Sequence, residues 1–270
     1  MAVFWTNKSV QPFADAGDPV SALIDHANNV LLEAVENGWT GPPFDTFELA
    51  NLLGIAVIPC ESIRDARLVA LSKGLYRIEY NPLQPKARIR FSIAHEIAHT
   101  FFPDCHEIVR NRAPKHEIEG DEWQLEMLCN IIASELLMPL GSFPEIGHSE
   151  FSIDNLLRLR TRFQVSTEAV LLRFLKLSRI PCAVFAASGQ QGSSTVLRID
   201  YIRCANGWQL PFKSSWKIPS NSVVNECESI GFTAKGTEVW DSVVGEMQIE
   251  CVAIPSYPGS DRPRVVGLLA

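Results

Sequence analysis

Residues 89–102 read IRFSIAHEIAHTFF, and within them His95-Glu96-Ile97-Ala98-His99 has the pattern H-E-x-x-H. The two histidines stand four positions apart, which on a helix puts both imidazoles on one face, a single turn apart. That spacing suits two-sided capture of one Zn²⁺ ion, with Glu96 placed beside an activated water as its general base. The surroundings strengthen this. Ile89, Phe91, Ile93, Ala94, Ile97, Ala98, Phe101 and Phe102 make the stretch apolar nearly all round, the mark of a buried helix. Two imidazoles and a carboxylate buried there without partners would cost on the order of several kcal/mol, and a metal ion removes that objection. Pro85 and Pro103 bracket the helix as a start and a sharp stop.

A catalytic zinc takes three protein ligands and leaves a position for water. The third histidine of H-E-x-x-H-x-x-G-x-x-H is absent here: Phe102 holds the glycine position and Cys105 the ligand position. Cys105 as thiolate, and His106 and His116 on the following loop, are candidates. The favoured candidate lies on a second helix expected over residues 121–138. Asp121 and Gln124 have the spacing of a capping box, Leu125, Leu128, Ile132 and Leu136 form a core face, and Pro139 ends the element. Its other side carries Glu122, Glu126, Asn130 and Ser134, each four apart, which reads either as a solvated face or as a ligand-bearing one. Glu126 is the preferred third ligand and Glu122 its competitor. Asn130, one turn on, would accept a ring N–H from one histidine and so orient it.

Together, His95–His99 and Glu126-Met127-Leu128-Cys129-Asn130-Ile131-Ile132-Ala133-Ser134-Glu135-Leu136-Leu137-Met138-Pro139 resemble the ImmA/IrrE family of metallopeptidases. Members pair H-E-x-x-H with a helix of E-x-x-A-N-x-F-A-x-x-L-L-M-P flavour. Here Cys129 stands at the small-residue position and Ile132 replaces the phenylalanine. The likeness spans residues 20 to 140 and implies His95, His99 and Glu126 as ligands, with Glu96 catalytic. It also implies a protein substrate, a DNA-binding repressor cut to release stress-response or mobile-element genes. Longer members carry a C-terminal sensor-like module. Zn²⁺ is the expected cofactor, although Mn²⁺ or Fe²⁺ can occupy similar ligands.

At 270 residues the chain can bury a sizeable core and divide into domains. A hydrophobic share of 46% with 20% charged residues is ordinary for a globular protein. The first residues lack the basic start and apolar run of a secretory signal, and no run approaches the roughly 18 apolar residues of a membrane span. Seven cysteines without CxxC spacing point to reduced thiols and hence a cytoplasmic location. A net charge of −7 argues against a surface that clings everywhere to nucleic acid.

The order of elements predicts an α+β fold with a zincin-like metallopeptidase domain over residues 1–145, a helical, helix-turn-helix-like segment over 146–180, and a small β-rich sensor-like domain over 181–270. In the first, helices are expected over 18–36 and 47–53, a strand over 54–59, and a hairpin from 67–71 and 75–80 around Ser72-Lys73-Gly74. The strand bearing Tyr76, Ile78 and Tyr80 is the candidate edge against which extended substrate would pair. Tyr76, Tyr80 and His148 are candidate oxyanion stabilisers. In the second, Arg158, Arg160 and Arg162 make the segment locally basic. Residues 151–178 therefore suit DNA or partner binding, or else form a packed helical pair with a charged outer face. In the third, strands are expected over 181–187, 196–204, 246–254 and 265–269 with a helix near 223–230, and Trp208, Trp216 and Trp240 as core residues. A rival to proteolysis is a transcriptional regulator whose metal is structural and whose middle segment binds DNA.

Overall fold

A computed structural model describes residues 4–105, 110–111, 120–144, 152–189, 196–205, 207–257 and 262–270. Contacts divide the chain into two compact units, one of residues 1–144 with 162–165 and one of residues 145–161 with 166–270. His106, His116 and His148, and most of the loop after Pro103, lie outside the described residues.

The first unit opens with α1 (Gln11–Ala16), α2 (Pro19–Glu36) and α3 (Thr46–Leu52). Asp18 and Asp45 cap the latter two: Asp18 accepts from the Ser21 N–H, and Asp45 from those of Phe47 and Glu48. On α2 the buried residues Leu23, Ala27, Leu31 and Ala34 recur at helical spacing. Strands β1 (Ala56–Pro59), β2 (Ala66–Ser72), β3 (Leu75–Tyr80) and β4 (Arg110–Asn111) form a sheet in the order β1-β3-β2-β4, with β1 parallel to β3 and the other pairs antiparallel. The tight turn between β2 and β3 uses Gly74 at φ +80°, a conformation that favours glycine. Ala66, Leu68 and Ile78 are buried on one face, where α4 (Lys86–His99) packs across β2 and β3. The opposite face carries Arg67, Arg77 and Glu79 as an ion-paired trio, with both guanidinium–carboxylate contacts at 2.7 Å. Helix α5 (Glu122–Leu137) lies against α4 and α2.

Two expectations change here. Asp121 makes no side-chain cap on α5, so there is no capping box. Gln124 turns instead to the N-terminal segment: its Oε1 accepts from the backbone N–H groups of Thr6 and Asn7 at 2.8 and 3.0 Å, and its Nε2 donates to the Phe4 carbonyl at 2.9 Å. Three backbone groups held by one buried amide outweigh one local cap. The strand over 75–80 is also not an edge. β3 lies between β1 and β2, so its backbone is paired on both sides from Arg77 to Tyr80, while Leu75 and Tyr76 pair with β2 alone. That leaves too short a free stretch for a substrate strand to add along β3.

In the second unit, α6 (Ile153–Phe163, whose last two residues count with the first unit) and α7 (Thr167–Leu177) are joined through Gln164 at φ +53° and Ser166, which caps α7. Strands β5 (Ala183–Gly189), β6 (Leu197–Cys204), β7 (Thr233–Glu238), β8 (Met247–Ile254) and β9 (Arg264–Leu269) form an antiparallel sheet in the order β6-β5-β9-β8-β7. Ala183, Phe185 and Ala187 of β5 face a core with Ile249, Cys251 and Trp240, against which Trp208 and Trp216 pack. The alternate residues Val184, Ala186, Val266 and Leu268 are also buried, and α7 packs on β5 and β9. Burial on both faces explains the near-continuous apolar runs of the two strands. Gly267 is required by close approach: a Cβ there would lie 2.6 Å from the Glu250 carbonyl oxygen and 2.7 Å from the Phe185 ring. The helix expected near 223–230 is a single 3-10 turn, Val223–Glu226. No helix among the described residues is long and apolar enough to cross a membrane.

Candidate metal centre

Helix α4 is the most enclosed element of the first unit, with every residue from Ser92 to His99 buried. It can be buried on all sides because α3, α5 and the sheet surround it. His95 and Glu96 are fully buried and His99 is 2% exposed. The two imidazoles stand 4.9 Å apart, ring centre to ring centre, at 76° to one another. From α5 the Glu126 carboxylate reaches both: Oε2 is 3.2 Å from His95 Nε2 and Oε1 is 3.5 Å from His99 Nε2. Burial by itself raises the Glu126 carboxyl, but the facing imidazoles of His95 and His99 outweigh it and hold the group well below the usual carboxylate range.

The remaining ring nitrogens meet the next turn of α5. His95 Nδ1 lies 3.2 Å from Asn130 Oδ1, and His99 Nδ1 lies 3.4 Å from Cys129 Sγ. These three positions of α5, Glu126, Cys129 and Asn130, share one helix face by their three- and four-residue spacing. Ligand atoms of His95, His99 and Cys129 fall within 4.8 Å of one another, so sulfur is also within the cluster.

The residues present fit a divalent cation. His95 Nε2 is shielded from water and makes no aligned hydrogen bond among the described residues, although a carboxylate oxygen stands 3.2 Å away. A nitrogen in that position is costly unless something shares its lone pair. Two imidazole nitrogens and a carboxylate are a donor set for zinc or a neighbouring transition metal. The Glu126 carboxylate faces Nε2 of both rings, while the Cys129 sulfur faces Nδ1 of one.

The other sequence candidates go elsewhere. Glu122 is exposed, and its Oε1 accepts from Asn7 Nδ2 at 3.3 Å. The Cys105 thiol bonds the Tyr76 hydroxyl at 3.0 Å and joins no metal-binding group among the described residues. β3 is an inner strand from Arg77 to Tyr80, and its side chains serve packing: Ile78 is fully buried, Tyr76 meets Cys105, and Tyr80 stands edge-on to Phe47 at 5.3 Å. Ile78 and Tyr80 therefore lie on no edge open to a substrate strand, and the Tyr76 side chain is engaged by Cys105. Arg158, Arg160 and Arg162 are exposed on α6, with Arg158 and Arg162 on one side and Arg160 turned away from them. Arg173 of α7 is 2% exposed. Glu168 at the start of α7 accepts two hydrogen bonds from Arg264 and one from the Tyr201 hydroxyl, which fixes this helix on its own sheet. The approach of Cys129 to His99 has no signal in the sequence, which shows only an apolar-sized residue at a small-residue position.

Residues 52–175 match the family model described as IrrE N-terminal-like domain, Peptidase_M78. A solved structure from Mycobacterium tuberculosis, described as a transcriptional regulator, is similar at a TM-score of 0.58 and 18% identity, covering 93% of this chain and 76% of that one. At that identity the likeness concerns the fold. No curated protein matches the sequence.

Proposed function

Taking residues 52–175 as an IrrE N-terminal-like domain of the Peptidase_M78 family, we propose that the chain is a zinc-dependent endopeptidase acting on another protein. The observation that carries this is the convergence of the Glu126 carboxylate on Nε2 of both buried histidines. His95, His99 and Glu126 would hold the cation. When bound, it supplies Lewis-acid polarisation of a peptide carbonyl and acidifies a water molecule. Glu96, next to His95 on α4, takes the proton from the attacking water on its carboxylate and returns it to the departing amine. Asn130 holds the His95 ring by Nδ1 and keeps its other nitrogen turned toward Glu126. The dry surroundings strengthen each of these electrostatic contacts.

The substrate we propose is a DNA-binding repressor cut at one site to release stress-response or mobile-element genes. Support comes from the family resemblance and from the similarity in fold to a protein described as a transcriptional regulator. The test is to compare new protein N-termini in cells carrying the zinc-loaded wild type and Glu96→Gln. A small set of new termini in a repressor, made only by the wild type, is expected. A wild type that holds zinc and generates none overturns the peptidase reading.

The second reading, a regulator without proteolysis, is favoured by the exposed Arg158, Arg160 and Arg162. The burial of Arg173 and the anchoring of α7 through Glu168 weaken it for direct DNA contact. Under that reading Glu96→Gln leaves the biological output unchanged, and duplex DNA binding falls steeply with salt.

A further inference from the structure

Each imidazole of the centre has two nitrogens to satisfy. A neutral imidazole that offers its Nε2 lone pair to a cation carries its hydrogen on Nδ1, and a buried N–H needs an acceptor. For His95 that acceptor is Asn130 Oδ1 at 3.2 Å. For His99 the atom in place is Cys129 Sγ at 3.4 Å. Cys129 is fully buried and His99 nearly so, which leaves little room for water to substitute. An alanine at position 129 would offer the His99 N–H nothing.

We propose that Cys129 is a positioning residue of the metal centre: its sulfur accepts the His99 Nδ1–H, fixes the tautomer and rotation of the ring, and so raises the affinity for the cation. This rests on the metal-centre reading above and assigns a role to a residue that reading did not use. The competing arrangement is a direct bond from sulfur to metal. The geometry disfavours it, because the sulfur lies on the Nδ1 side of the ring, away from the nitrogen that faces Glu126.

The experiment titrates the full chain, as wild type, Cys129→Ala and Cys129→Ser, with Zn²⁺ against a competing chelator, and records Co²⁺ spectra of each. Cys129→Ala should bind about 10- to 100-fold more weakly. Cys129→Ser, whose hydroxyl can accept the same hydrogen, should recover part of that loss. The wild-type Co²⁺ spectrum should show no sulfur-to-metal charge-transfer absorption. Equal affinity of the alanine variant and wild type overturns the proposal, and so does a serine variant no better than alanine, since packing alone would then suffice. A charge-transfer band lost with the sulfur overturns it in favour of direct ligation. Nitrogen-15 NMR of the zinc-loaded wild type needs no variant to fold: His99 should carry its hydrogen on Nδ1, and the Nε2–H tautomer overturns the proposal. Failure of the wild type to bind any divalent cation is a different result, and it brings down the metal-centre reading itself.

Discussion

Glu126 and Glu122 sit one turn apart on the same helix, yet their surroundings assign them opposite tasks. Glu122 is exposed and touches Asn7, whereas Glu126 keeps 16% of its side chain exposed and faces two imidazoles. Replacing Glu126 with alanine should therefore strip the metal from the purified chain, and replacing Glu122 should leave it in place. Elemental analysis of the two variants decides this, and loss only from the Glu122 variant reverses the assignment. At this scale the sequence was most legible where a spacing is local. The four-residue step from His95 to His99 and from Glu126 to Asn130 is dictated by helix geometry, and those side chains come together. Gln124 was misread for the complementary reason. Its partners, Phe4, Thr6 and Asn7, lie more than a hundred positions away, and no local pattern announces them.

Among the elements, the β2–β3 hairpin carries the clearest electrostatic consequence. The hydrogen bond from Arg67, opposed by the cost of burial, together with the charges of Arg67 and Arg77, holds the Glu79 carboxyl below its ordinary value of 4.5. A carboxyl depressed in the folded state stabilises fully above its unfolded pKa, and the contribution fades as pH falls through the folded value. Chemical denaturation of wild type and Glu79→Gln should differ by about 0.5–1 kcal/mol at neutral pH, the partly exposed guanidiniums being screened by solvent, and the gap should close on acidification. A gap that widens in acid contradicts the assignment. The hairpin itself was legible from its alternation and its glycine turn. That β3 is an inner strand was not, because its position depends on β1, some twenty residues upstream, pairing in parallel. β7 went unseen for a different reason: Thr233–Glu238 includes Lys235, Gly236 and Glu238, and an edge strand needs no apolar alternation on both faces.

For the whole molecule, two compact units with separate cores predict two responses to one ligand. If His95, His99 and Glu126 hold a cation as proposed, it should stabilise only the unit containing them, by about 2.7 kcal/mol at a hundredfold excess over Kd. Calorimetry should show zinc raising one transition. Gly267→Ala, which crowds the Glu250 carbonyl and the Phe185 ring, should lower the other by overpacking. If zinc moves both transitions equally, the units do not unfold independently. The change in composition after residue 180 made a β-rich portion visible in the sequence, whereas the tie from Glu168 to Arg264 joins positions 96 apart and carries no signature. The grip of Gln124 on the first described residues has a practical corollary. The amide clasping Phe4, Thr6 and Asn7 sits two positions before Glu126, so the leading stretch is tied to the same helix that carries the candidate third ligand. Trimming it, or attaching an affinity tag to it, should loosen the start of that helix, and thermal denaturation of the trimmed chain checks this.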